Sequence, residues 1–179
     1  MDRRRFLQFT TAGLLALSGR SLPQNAQPAA PAGLPQVTLG STSIQTSLLG
    51  IGTGTNGFGG RSRQTELGRK QLVSLLEYAH ERGVTFFDVA DSYGSHTYLR
   101  SALQNNGGSV PRDKAFILTK THARTASQMR SDLDRFRREL GTDHIDLILL
   151  HCKFGGDWPE THRGAMDVLA EAKQNGIIR

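Results

Sequence analysis

Apolar and polar positions follow two rhythms along this chain, and the rhythm switches several times. Predominantly apolar runs occur at Ser47–Ile51, Val84–Phe87, Ala115–Thr119 and Ile145–Leu150. Runs of that length suit strands covered on both faces. Between them the spacing turns helical. Leu72, Leu75, Leu76 and Ala79 make the inner stripe of a helix from Thr65, its expected N-cap, to a stop at Gly83. A short helix is expected over Thr97–Gln104 and a longer one over Ala126–Leu140, stopped by Gly141. A last helix runs over His162–Gln174 to the stop at Gly176, and Ile177-Ile178-Arg179 opens a fifth strand. Ahead of all this, Val37–Ile44 alternates about Gly40-Ser41 and predicts a β-hairpin. A β-α-β-α-β series of this kind builds a parallel sheet, with ligands beyond the carboxyl ends of its strands.

Those carboxyl ends carry the candidate chemistry. The second run delivers Asp88 and, five residues later, Tyr93-Gly94; the third closes on Lys120 and the fourth on His151. Four groups would therefore meet at one end of one sheet. A free phenol near pH 10 is a poor acid-base catalyst unless perturbed. A nearby lysine ammonium favours the phenolate, and Asp88 supplies the carboxylate that a buried lysine needs. His151 can donate a hydrogen bond to a substrate oxygen and stabilise developing negative charge. The structural alternative is an Asp88–Lys120 salt bridge beside a packed aromatic Tyr93. Convergence at consecutive strand ends favours the chemical reading.

The loop after the first run, Gly52-Thr53-Gly54-Thr55-Asn56-Gly57, matches the G-x-G-x-x-G spacing of a dinucleotide fingerprint. The fingerprint needs a helix opening at the third glycine and an acidic residue about 20 positions on. Here Phe58-Gly59-Gly60 intervenes and Asp88 lies too far along, so a flexible loop close to a ligand is the better reading.

The formal charge of +6 changes the picture little. Arg3, Arg4, Arg5, Arg20 and Asp2 account for +3 of it, and no nucleic-acid partner is implied. In Arg135-Phe136-Arg137-Arg138, Leu133, Phe136 and Leu140 share one helical face and the arginines are expected on a solvated one. The single cysteine, Cys152, excludes an intrachain disulfide; it is expected as a buried small hydrophobe at a strand end rather than as His151's partner in catalysis. The six histidines lack metal-ligand spacing, so no metal is assigned.

Residues 1–32 read as a targeting segment and linker. Arg3-Arg4-Arg5-Phe6-Leu7 resembles the twin-arginine export motif. The apolar stretch Phe6–Ser18 is too short and polar to span a bilayer stably, and Ala30-Pro31-Ala32 is a small-x-small cleavage pattern. The expectation is export through the twin-arginine machinery to the periplasm, without a stable membrane anchor; an uncleaved anchor is the alternative.

Taken together, Gly83-(x)4-Asp88-x-Ala90-x-x-Tyr93-Gly94, Leu118-x-Lys120 and Leu140-Gly141-(x)4-Asp146-Leu147-(x)3-His151 resemble, in order and spacing, the N-terminal half of an aldo-keto reductase. The resemblance covers about Val37–Arg179. It implies an α/β fold, a (β/α)8 TIM barrel of which the N-terminal hairpin and the first four βα units are present. It implies NADPH-dependent reduction of an aldehyde or ketone, with a small-molecule carbonyl substrate. The catalytic set carried over is Asp88, Tyr93, Lys120 and His151, with Gly52, Thr53 and Asp88 near the nicotinamide end of the cofactor. A full barrel takes about 250 residues, so residues 33–179 are expected to be incomplete, with strands five to eight absent. Two consequences are expected: no turnover by that piece alone, and inner-face side chains of Val84–Phe87 and Phe116–Leu118 facing water. Ser95-His96-Thr97-Tyr98, where the family carries a glutamate, is read as a shortened variable loop without consequence for the four groups. A non-catalytic binding or regulatory half-barrel, or a different barrel enzyme, stand as alternatives.

Overall fold

A computed structural model describes residues 33–179. The targeting segment expected at residues 1–32 lies outside the described residues.

The chain opens with an antiparallel hairpin of β1 (Gln36–Thr38) and β2 (Gln45–Ser47). There follow β3 (Gly50–Gly52), α1 (Arg69–Glu81), β4 (Phe86–Asp88), α2 (His96–Ala102), β5 (Phe116–Thr121), α3 (Ala126–Leu140), β6 (Leu147–Leu150), α4 (Trp158–Thr161) and α5 (Arg163–Gln174). Strands β3-β4-β5-β6 form one parallel sheet in sequence order, as in the first four βα units of a β/α barrel. The expected start of a fifth strand is present as a parallel bridge from Ile178 to Ile145.

Period-two alternation sorts the sheet into two faces. Phe87, Ile117 and Ile148 join one core with Leu72 and Leu76 of α1, Leu99 of α2, Met129, Leu133, Phe136 and Leu140 of α3, and Val168 of α5. Phe116 and Leu118 point the other way and pack with Phe86, Leu147 and the hairpin's Ile44 and Leu39. The expectation that this inner face would lie open is therefore corrected at its base. Phe116 and Leu118 are buried because the hairpin floors them and Phe86 packs edge-on against Phe116, ring centres 5.0 Å apart. Exposure falls instead on Leu48 (66%), Leu49 (57%) and Leu149 (41%).

Element boundaries follow local chemistry. The expected bounds of α3 hold because Thr125 and Gln128 form a reciprocal capping box and Gly141 ends the helix at φ 65°. Thr65 is not an N-cap. Its hydroxyl accepts from the Ser62 N–H (2.8 Å) inside a single 3-10 turn, and α1 begins four residues later, after Gly68. Leu75 lies outside the inner stripe, with Val73 packing inward instead. Ser47 belongs to the hairpin rather than to the first parallel strand. It exchanges bonds with Thr85, its N–H donating to Thr85 Oγ1 (2.8 Å) and its Oγ accepting from the Thr85 N–H (2.9 Å). Cys152 is exposed, at φ 50°, because the chain leaves the sheet directly after His151.

One buried carboxylate braces the far end of the sheet. Asp146, with a fully buried side chain, accepts from the Ile117 N–H (2.9 Å), Arg112 (2.9 Å) and Arg179 (2.8 Å). It thereby ties the entry of β6 to β5 and to the strand that follows α5.

Candidate active site

The four candidate groups do meet beyond the carboxyl ends of β4, β5 and β6. Asp88 closes β4 and Lys120 lies one residue from the end of β5, both with inner-face parity. Lys120 Nζ donates to Asp88 Oδ1 and to the Val89 carbonyl (3.2 Å). The lysine side chain is largely buried, and its partner carboxylate is about two-fifths exposed toward the mouth of the sheet. Tyr93 ends a 3-10 turn, Asp91–Tyr93, which Gly94 terminates in the left-handed region at φ 65°. That turn folds the phenol back over the strand ends. Lys120 Nζ sits 4.8 Å from the centre of the tyrosine ring, and Tyr93 Oη lies 3.5 Å from His151 Nε2. His151 follows β6 directly, and its N–H still donates to the Thr121 carbonyl (2.8 Å), which holds it in register with β5.

Sequence reasoning missed the groups that set this geometry. The Ser92 hydroxyl lies 3.3 Å from His151 Nδ1. The ring of His122 stacks on His151, with centres 4.8 Å apart and planes at 27°. His122 could have been found, because it sits two positions after Lys120 and so shares its side of the strand. Burial, then the nearby His122 and Lys120, hold the His151 pKa below its ordinary 6.5, against a smaller opposing pull from Asp88. A neutral imidazole donates from one nitrogen and accepts at the other. In the tautomer that accepts from Ser92 at Nδ1, the proton is on Nε2, facing Tyr93 Oη.

The turn that carries Tyr93 is anchored from behind. Arg135 of α3 donates to Asp91 (2.6 Å), Asp132 (2.8 Å) and Glu139 (3.1 Å). These carboxylates, Asp91 first, hold the guanidinium pKa above its usual value. Arg135 is therefore a bracket between α3 and the tyrosine turn, not part of a solvated face. Ser95–Tyr98, read as a shortened variable loop, instead runs into α2 from His96 onward. His96 is buried at the start of α2, with Nδ1 2.7 Å from Glu139 and Nε2 2.7 Å from the Thr119 hydroxyl. Its hydrogen bond is the leading cause of the lowered Glu139 pKa. Through His96, the segment just after Tyr93-Gly94 is tied to β5 and α3 together.

Of the candidate cofactor residues, Gly52 fits best. A side chain there would meet open space, so another molecule can approach its backbone. Asp88 adds a half-exposed carboxylate at the same mouth. Thr53 is buried, its hydroxyl donating to the Asp88 carbonyl (2.9 Å) and lying 2.8 Å from the Ser95 hydroxyl. Among the described residues, no group of three His, Cys, Asp or Glu is placed to hold a metal ion.

This constellation, on this sheet, defines a class. Residues 50–179 match the family model described as "Aldo/keto reductase family". The chain belongs to the aldo/keto reductase family. It is 29% identical over 110 residues to "Methylglyoxal reductase DkgB" of Salmonella typhi, covering 60% of this chain and 40% of that protein. It is 25% identical over 167 residues to the "NADH-specific methylglyoxal reductase" of Escherichia coli, covering 80% of this chain and 50% of that protein. A solved "Putative aldo-keto reductase from Pseudomona aeruginosa" superposes with a TM-score of 0.67 at 25% identity, over 85% of this chain and 60% of that one. The chain thus spans half or less of the length of these two curated relatives.

Proposed function

We propose that the complete protein reduces an aldehyde or ketone to an alcohol, with NADPH as hydride donor and Tyr93 as proton donor. What carries the reading is the convergence of Lys120–Asp88, Tyr93 and His151 beyond three adjacent parallel strands. The nicotinamide supplies hydride to the carbonyl carbon, and Gly52 and Asp88 would hold that end of the cofactor. The chain's own residues act on the oxygen. His151 Nε2–H orients the carbonyl and shares its growing negative charge. Tyr93 Oη, beside that nitrogen, delivers the proton as general acid. Lys120 stabilises the phenolate that remains, and Asp88 keeps the ammonium charged and aimed.

The test is transfer of deuterium from C4-labelled nicotinamide to the product of a small aldehyde such as methylglyoxal. NADPH and NADH are run side by side, because one relative is named as NADH-specific. Label at the product carbinol carbon with NADPH supports the reading; failure of both cofactors with a panel of aldehydes and ketones overturns it. The full-length protein is the sample.

For location, we propose export across the cytoplasmic membrane to the periplasm by the twin-arginine route, on the strength of Arg3-Arg4-x-Phe6-Leu7. Changing Arg3 and Arg4 to Lys should leave the product in the cytoplasm; continued secretion of that variant would refute the route. Among the described residues, no helix is long and apolar enough to cross a membrane.

A further inference from the structure

The loop between β3 and α1 lies against the Asp91–Tyr93 turn. The Thr53 N–H donates to the Asp88 carbonyl (3.0 Å) and the Gly60 N–H to the Ser92 carbonyl (2.9 Å), so both ends are fastened to the segment that carries Tyr93. Between them, the Gly57 N–H donates to the Gly54 carbonyl (2.9 Å) and closes a tight turn. Both glycines of that turn press on the tyrosine ring. A Cβ on Gly54 would lie 2.8 Å from Tyr93 Cδ2 and nearer still to Cε2 and Cζ. A Cβ on Gly57 would lie 2.8 Å from Cε1 and nearer still to Cδ1. The two positions thus meet opposite edges of one ring.

We propose that Gly54 and Gly57 are positioning residues that seat the Tyr93 ring beneath Lys120 and so fix its hydroxyl beside His151. The inference rests on Tyr93 being the proton donor. It also explains the G-x-G-x-x-G match without a phosphate: the space beside both glycines is filled by the phenol, and the next α-helix opens only at Arg69. Carbon atoms pack at about 3.5–4.0 Å, so a methyl group at either position must push the ring by about 1 Å. Tyr93 Oη already stands 3.5 Å from His151 Nε2, at the limit of a hydrogen bond. A misplacement of about 1 Å can cost about 10²-fold in rate. Neither glycine has a positive φ, so alanine suits the backbone dihedrals. At Gly54 the three nearest atoms to a Cβ all belong to the ring, whereas at Gly57 a Cβ also lies 3.0 Å from the Gly54 carbonyl oxygen, which makes Gly54→Ala the cleaner test.

The experiment compares Gly54→Ala, Gly57→Ala and Gly156→Ala in the complete protein, by steady-state kinetics, cofactor titration and aromatic NMR of labelled tyrosine. Gly156 has open space around it and no positive φ, so its variant is the control. The first two should lose about 10²-fold in kcat, keep cofactor Kd within about threefold, and shift the Tyr93 ring signals. Tyr78, Tyr98 and the control should stay as in the parent. Unmoved Tyr93 signals overturn the proposal, as does a loss that falls on cofactor affinity, the mark of a phosphate cradle. If the proposed reaction itself is wrong, no protein turns over, yet the NMR still reports whether the glycines seat the ring. Should the alanine variants fail to fold, Tyr93→Ala serves: removing the ring should speed amide exchange at Gly57, and unchanged exchange there refutes the seating.

Discussion

Replacing Lys120 by Met removes the ammonium while keeping most of the side-chain volume. In the folded protein that charge lies 4.8 Å from the centre of the Tyr93 ring, over which a phenolate spreads its charge. At an effective dielectric of about 20, a full charge pair at that distance is worth about 3.5 kcal/mol. Roughly half to all of that charge is present at the transition state, so the barrier rises by about 1.7–3.5 kcal/mol and kcat falls about 20- to 300-fold. The half-exposed Asp88 is left unpaired but hydrated, so the fold should survive with a small loss of stability. The assay is kcat for aldehyde reduction in the complete protein, with thermal unfolding as the control. A variant that keeps more than a fifth of the parent kcat, while folded, refutes the role given to Lys120.

Three further expectations concern His151 and the brace at the far end of the sheet. NMR titration should place the His151 midpoint below 6.5, and His122→Ala, which removes a charge and part of the burial that depress it, should move the midpoint upward; an unchanged or lower midpoint contradicts the assignment. Because the unfolded chain then takes up a proton that folded His151 refuses, this residue's contribution to stability is full above about pH 6.5 and falls as the pH drops toward the folded midpoint. Asp146→Ala strands Arg112 and the Ile117 N–H in the interior and should cost about 3–5 kcal/mol by denaturant unfolding; a loss under about 1 kcal/mol would show that the brace is not needed.

The residues that converge were readable from the sequence because strand ends and parity are local signals. A carboxylate, a lysine and a histidine, each closing an apolar run, must share one end of a parallel sheet. The α3 helix was equally plain, since Thr125, Gln128 and Gly141 specify its ends chemically. What failed were judgements that depend on distant partners. Arg135 looks like one of several surface arginines until Asp91, 44 positions earlier, folds against it. His96 sits in what reads as a variable loop, yet its two nitrogens meet Glu139 and Thr119, which only the tertiary fold supplies. Leu48 and Leu49 look like strand interior and are exposed, because Ser47 pairs with Thr85 and draws the start of the run into the hairpin. Gly54 and Gly57 carried a known spacing whose usual meaning does not apply here; the ring that fills it comes from residue 93.

The central claim, that Tyr93 delivers the proton, is tested most directly by Tyr93→Phe in the complete protein, measuring kcat and cofactor Kd together. The ring stays to fill the seat formed by Gly54 and Gly57, and only the hydroxyl is lost. General acid catalysis is worth about 10²–10⁴-fold, so kcat should fall by that factor while cofactor Kd stays within about threefold. A Tyr93→Phe protein that keeps more than about a tenth of the parent kcat would contradict the account and require another proton donor.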